Sequence, residues 1–408
     1  MLRKVVLLIC DGLGDRPVKE LGEKTPLEAA HTPNLDAMAA AAECGYMCAL
    51  GRGKRPGSDT SHLAILGYDP EQYYPGRGPV ETAGIGLELR EGDVALRGNF
   101  GTVDEHGVIR DRRGGRIRDV RPLTEAIDGL EIGGVRLIVK PGTAHRAGVV
   151  MRGPGLSDAI TDADPHVEGE PVHKVKPTSG SPEAARTAEL LNEFLQKAHK
   201  VLRDHPVNAD RERRGLMPAN FLLVRGAGQY KALPSFQERY GLKAVCIAGG
   251  GLYKGIGSLL GMQVLDVPGA TGLADTDIDS KFDAAQRVLD EFDFVFVHVK
   301  AADSLGEDGN AMGKRDFIDK IDRAARILRA LPPDVLVVVT ADHTTPCELK
   351  AHSADPVPIM FRGEGVRVDQ VTEFSERACT RGGLGFITGL DIMPHVQNLL
   401  GRLPLIGA

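Results

Sequence analysis

The chain has 408 residues, a formal net charge of −6 and 42% hydrophobic residues, ample for a large core in two domains or in one domain carrying an insertion. The acidic balance argues against a general nucleic-acid binder, and no apolar run reaches the ~20 residues a membrane span needs. Six scattered cysteines with no CxxC, and an N-terminus too short and too quickly acidic for a signal peptide, predict a cytoplasmic chain without a disulfide framework.

Lys4 to Cys10 reads as an apolar strand that runs straight into Asp11-Gly12-Leu13-Gly14-Asp15. A carboxylate at a strand's carboxyl end stands where ligands bind in open α/β sheets. Thr32-Pro33-Asn34 opens a helix to about Ala42, with proline at its first position. Gly51 to Gly67 places Ser58 in a glycine-rich turn, where Ser58 or Asp59 can cap a short helix from Thr60 to Leu66. Capping is the ordinary task of such a serine. The chemical alternative is a hydroxyl at a helix start beside a metal, where an alkoxide is stabilised by dipole and cation together.

From about Gly76 glycine-rich connections alternate with short strands, at Arg136–Lys140 and Ala147–Arg152, and arginine becomes dense. Arg110, Arg112, Arg113, Arg116, Arg118 and Arg121 fall close together, and His145-Arg146 and Arg97-Gly98-Asn99 add to them. Such a run is commonly a solvated face, yet forked donors on flexible backbone also suit a phosphate or carboxylate. Ser181-Pro182-Glu183 starts the longest helix of this segment, and His205-Pro206 ends it.

From Asn220 strands and helices alternate regularly. Strands fit Phe221–Val224, Lys243–Ala248, Gln263–Val267, Phe294–Val299, Val335–Thr340 and Val357–Met360. Helices fit Leu252–Leu260, Ser280–Phe292, Lys314–Ala330 and Ile392–Leu400. That alternation predicts an α/β fold with a doubly wound, mostly parallel sheet. Strand Phe294–Val299 delivers His298, Lys300, Asp303 and Glu307, and the strand from Val335 delivers Asp342, His343 and then His352. Asp11 makes a third strand end with ligand chemistry, and three such ends at one sheet edge point to a two-metal site.

Several phrases resemble the alkaline phosphatase superfamily and, within it, the archaeal-type 2,3-bisphosphoglycerate-independent phosphoglycerate mutases. They are Asp11 to Asp15, Thr25 to Ala30, Pro56 to Thr60, Leu63 to Pro70, Asp111-Arg112-Arg113, Gly142 to Arg146, Leu252 to Gly255 and His352 to Pro358. The resemblance implies a metal-binding phosphatase-like core, residues 1–75 and 218–408, with an inserted α+β cap domain, residues 76–217. It implies that Asp11, Ser58, Asp342 and His343 ligate one divalent metal, with Ser58 also the nucleophile. Asp303, His352 and the residue four after Asp303 would hold a second. That residue is usually histidine in the family; here it is Glu307, which suits Mn²⁺ or Mg²⁺ better than Zn²⁺ or Co²⁺. Lys254 and Arg116 are implied as catalytic, and Arg97, Arg112, Arg113, His145, Arg146 and Arg225 as substrate-binding. The implied activity interconverts 3- and 2-phosphoglycerate through a phosphoserine, in glycolysis and gluconeogenesis, with two metal ions and no 2,3-bisphosphoglycerate. A related phosphotransferase or phosphatase of homoserine-kinase-like type, and a non-catalytic binding protein on the same fold, are the alternatives. Asp164-Pro165-His166 matches a family phrase without revealing its role, and the oligomeric state stays open.

Overall fold

The computed structural model describes residues 2–407. The chain forms two compact units, Met1–Tyr74 with Pro234–Ala408, and Pro75–Leu233. In chain order the strands are β1 (Lys4–Cys10), β2 (Glu43–Cys48), β3 (Val94–Val103), β4 (Ile109–Asp111), β5 (Leu130–Ile132), β6 (Val135–Pro141) and β7 (Arg146–Arg152). They continue as β8 (Phe221–Gln229), β9 (Ala244–Ile247), β10 (Gln263–Val264), β11 (Phe294–Val299), β12 (Val335–Thr340), β13 (Val357–Arg362) and β14 (Gly385–Thr388). Among the described residues no helix is long and apolar enough to cross a membrane.

The first unit holds one sheet in the order β10-β9-β11-β1-β12-β13-β2-β14. From β10 to β12 all neighbours are parallel, and every residue of β11 and β12 is buried, as expected of strands covered on both faces. Each fully buried valine of β12 contributes about 1.5–3 kcal/mol by leaving water. The parallel run ends at β12: β13 is antiparallel both to it and to β2, and β14 runs parallel to β2. Helix Ala311–Arg329 packs on helices Pro33–Ala39 and Ile278–Arg287. Helix Ser58–Ile65 packs on Gly251–Leu259 and Gly389–Leu399.

The second unit is built on β3, which pairs antiparallel with β7, β4 and β8; β6 and β5 follow β7 outward. Helix Pro182–Arg203 begins where expected, Ser181 Oγ accepting from the Ala184 amide at 3.1 Å. Its Leu191, Phe194, Leu195, Ala198 and Leu202 are buried in this unit's core.

Two expectations are corrected. Phe221–Val224 lies in β8 and belongs to the second unit's sheet, not to the large parallel one. A four-residue apolar run carries no information about its partner strand. Here Leu222 and Val224 join one core and Leu223 another, as period-two alternation dictates. The second unit therefore runs to Leu233 rather than ending at 217, and takes Arg225 with it.

Candidate active site

Parallel register brings three loop starts level. Cys10 pairs with Val299 and Ile9 with Thr340, so Asp11, Lys300 and Asp342 follow at one edge of the sheet. Gly12, at φ 62°, makes the close approach possible: a Cβ there would stand 2.6 Å from the Asp303 Cα. The ammonium of Lys314, fully buried, donates to Gly14 O at 2.8 Å, Thr345 O at 2.9 Å and Asp15 Oδ2 at 2.8 Å. It thus ties the loop after β1 to the loop after β12.

The two central carboxylates are each half satisfied. Asp342 Oδ1 accepts from the Gly12 amide at 3.1 Å and the His343 amide at 3.0 Å, while its Oδ2 is buried without a hydrogen-bond partner. Asp11 Oδ2 accepts from Tyr253 Oη and faces His298 Nε2 at 3.0 Å, while its Oδ1 is the orphan. Burial would raise Asp11, but Lys300, with Nζ 3.5 Å away, and His298 hold it well below the usual carboxylate range. A buried anionic oxygen without a hydrogen bond is costly unless a cation meets it; the imidazole of His343 comes near both oxygens, 3.1 Å from Asp342 Oδ2 and 3.6 Å from Asp11 Oδ1, yet leaves both without a hydrogen bond. The donor set therefore fits a divalent metal.

His343 Nε2 faces Ser58 Oγ at 3.1 Å, Asp342 Oδ2 at 3.1 Å and Asp11 Oδ1 at 3.6 Å. Burial lowers the basicity of this imidazole, but Asp342 and Asp11 outweigh it and raise its pKa to about 9. Helix Ser58–Ile65 is capped by Gly57, not by Ser58 or Asp59, and the Ser58 hydroxyl makes no cap bond. Asp59 instead accepts from Tyr74 Oη at 2.6 Å.

Around this centre lies a second group. Ligand atoms of Asp303, His343 and His352 lie within 4.8 Å of one another, as do those of Asp11, Asp342 and His343. His352 Nε2 is 3.4 Å from Asp303 Oδ1 and its ring stacks on His343. Burial would raise Asp303, but His352 and Lys300, the latter at 2.8 Å, hold it down at about 2. Glu307 falls outside the group: its Oε1 is 3.8 Å from His352 Nε2, and its side chain is half exposed. Lys254 pairs with Asp266 at 2.6 Å.

In the second unit Arg97, Asn99, Arg112, Arg113, His145, Arg146 and Arg225 line a cavity of about 220 Å³. Arg116 is exposed at φ 54° and does not line it. Burial and the neighbouring Arg146 and Arg113 lower His145. Three further side chains stand at the site without a role assigned from the sequence: His298, noted there only as part of its strand, Tyr253 and His62. Tyr253 and His298 stack with ring centroids 3.4 Å apart, and His62 Nδ1 lies 2.6 Å from Ser58 O. The only sequence signal was a histidine inside an otherwise apolar strand.

Fold and site together define an α/β protein with a paired carboxylate–imidazole centre and a hydroxyl at a helix start. The profile of a family described as 2,3-bisphosphoglycerate-independent phosphoglycerate mutase matches residues 39–208. A protein of that name from Methanothermobacter thermautotrophicus is 48% identical over 99% of this chain and 100% of its own length. A solved cofactor-independent phosphoglycerate mutase from Thermoplasma acidophilum is 41% identical, with TM-score 0.76 over 98% of this chain and 100% of that one. A Pyrococcus horikoshii protein of known structure is 37% identical, with TM-score 0.85 over the whole of both chains. The chain belongs to the family of 2,3-bisphosphoglycerate-independent phosphoglycerate mutases, which are isomerases.

Proposed function

We propose that this chain interconverts 3-phosphoglycerate and 2-phosphoglycerate through a phosphoserine on Ser58, without 2,3-bisphosphoglycerate. The observation that carries the reading is the Ser58 hydroxyl: it is free of any capping bond and stands 3.1 Å from His343 Nε2, which in turn faces two carboxylates with orphan oxygens. Asp11, Ser58, Asp342 and His343 would hold one divalent cation, and Asp303, His352 and Glu307 a second, with Mn²⁺ the best match to so many oxygen donors. When bound, the cations would ease ionisation of the hydroxyl and offset charge on the transferring phosphoryl group.

Ser58 Oγ attacks phosphorus in line; the bond from phosphorus to glycerate O3 breaks, and the hydroxyl proton passes to that oxygen. After the glycerate turns over, its O2 hydroxyl attacks phosphorus, the bond from phosphorus to Ser58 Oγ breaks, and the O2 proton returns to Oγ. The positive end of helix Ser58–Ile65 favours the anionic Oγ. Lys254 would exchange Asp266 for a phosphoryl oxygen, and the arginine cavity offers forked donors for phosphate and carboxylate. The two separate helix groups of the first unit support a doubly wound reading of its sheet, with the second unit as the substrate-holding cap.

The test is a coupled assay on 3-phosphoglycerate, read for 2-phosphoglycerate and for free phosphate. The native chain forms 2-phosphoglycerate with no added bisphosphoglycerate, and Ser58→Ala loses about 10³-fold or more in turnover while folding normally. Near-normal turnover in that variant, or free phosphate as the main product, overturns the reading.

A further inference from the structure

Not all the guanidiniums of the arginine cavity are equivalent. Those of Arg113 and Arg146 make no hydrogen bond or ion pair among the described residues, whereas Arg112 and Arg225 are fastened from behind. Asp164, with no exposed side-chain surface, accepts from Arg112 Nε at 3.1 Å and from Nη2 at 2.6 Å. Its Oδ2 also lies 3.7 Å from Arg225 Nη1, and its Oδ1 accepts from the His166 amide at 2.9 Å. Arg225 Nη1 is 2.9 Å from His166 Nδ1. A guanidinium can only donate, so Nδ1 must accept, and the ring proton sits on Nε2. That Nε2 faces Asp162 Oδ2 at 3.2 Å, and Asp162 Oδ1 accepts from the Gly226 amide at 2.7 Å, one residue past Arg225.

His166 holds this place at φ 67°, a left-handed backbone that few non-glycine residues adopt and that clusters where function demands it. The bonds leave Arg112 Nη1 and Arg225 Nη2 uncommitted. We infer that Asp162, Asp164 and His166 are positioning residues that preset Arg112 and Arg225 for an oxyanion, while Arg113 and Arg146 close on it. Presetting spares the ligand the ordering cost of two long side chains, so the array acts on substrate affinity rather than on the chemical step. The inference rests on the reading of the cavity as the phosphoglycerate site.

The test uses the full Mn²⁺-loaded chain and steady-state kinetics with 3-phosphoglycerate. Asp164→Asn and His166→Phe raise KM about tenfold with kcat within about threefold. His166→Gln, whose amide can accept from Arg225 and donate to Asp162, keeps most of the native KM. Arg113→Ala separates the two levels of the argument. If it raises KM while Asp164→Asn and His166→Phe leave KM unchanged, the array only packs and the inference falls. Should Arg113→Ala also leave KM unchanged, the cavity is not the substrate site and both readings fall. Because Asp164 is buried, its variant is first checked by thermal melting; if it unfolds, the half-exposed His166 pair decides alone.

Discussion

At the scale of single residues, Asp11 and Asp342 behave alike: donors hold one oxygen of each, so the other points in a fixed direction. Glu307 is the contrast. Among the described residues its carboxylate has one polar approach, 3.8 Å to His352, and half of the side chain faces water. Burial and the nearby Asp303 raise its pKa, which a cation between the two carboxylates would reverse. If Glu307 completes the second metal group, Glu307→Ala lowers bound Mn²⁺ from two ions per chain to one, read by metal analysis after dialysis. Glu307→His shifts preference toward Zn²⁺, since imidazole suits the softer ion. Unchanged stoichiometry in the alanine variant would remove Glu307 from the site.

At the scale of elements, the strand ends were the legible part. Asp11, Asp303, Asp342, His343 and His352 stand where polar ligand types interrupt apolar strands, and the parallel register of β1, β11 and β12 gathers the strand ends that carry them. What failed had a physical cause too. β2, Glu43–Cys48, has no β-branched residue and owes its place to pairing with β13 and β14. Tyr253 reads as a core aromatic on a helix, because its hydroxyl finds Asp11 only in three dimensions. His298 in β11 has a consequence of its own. Burial, opposed by Asp11, pushes its imidazole down to about 4, below the usual 6.5. The unfolded chain then binds the extra proton between these values, so stability is present above pH 6.5 and is lost as pH falls toward 4. Between pH 7 and pH 5 this one group removes about 2 kcal/mol. Urea unfolding at the two pH values checks it: His298→Gln loses correspondingly less on acidification, and an equal loss in both proteins would contradict the assignment.

At the scale of the whole molecule, the first unit is discontinuous, and the chain passes to and from the second next to Pro75 and Pro234. Lys231 is exposed in an irregular stretch just before the return. Brief trypsin treatment of the native protein therefore cuts first at Lys231, identified by mass of the fragments. Early cuts within Ala311–Arg329, which carries several basic residues but is packed on other helices, would speak against these boundaries.

The order of the large sheet also sets a schedule for synthesis. β1 lies between β11 and β12, so Val5 meets Phe294 and Leu336 only after nearly the whole chain has left the ribosome. At about 5–20 residues per second the wait is roughly a quarter of a minute to a minute. Throughout it the apolar run Val5–Cys10 has no native partner, the kind of segment that draws chaperones or aggregates. The second unit is complete by Leu233 and has its own core, so it can fold during that interval. A nascent chain stalled at residue 265 should then resist pulse proteolysis across 75–233 and be digested across 1–74; protection of 1–74 at that length would refute the schedule. Strand β1 thus waits on partners some three hundred residues further along, and the last third of the chain supplies both.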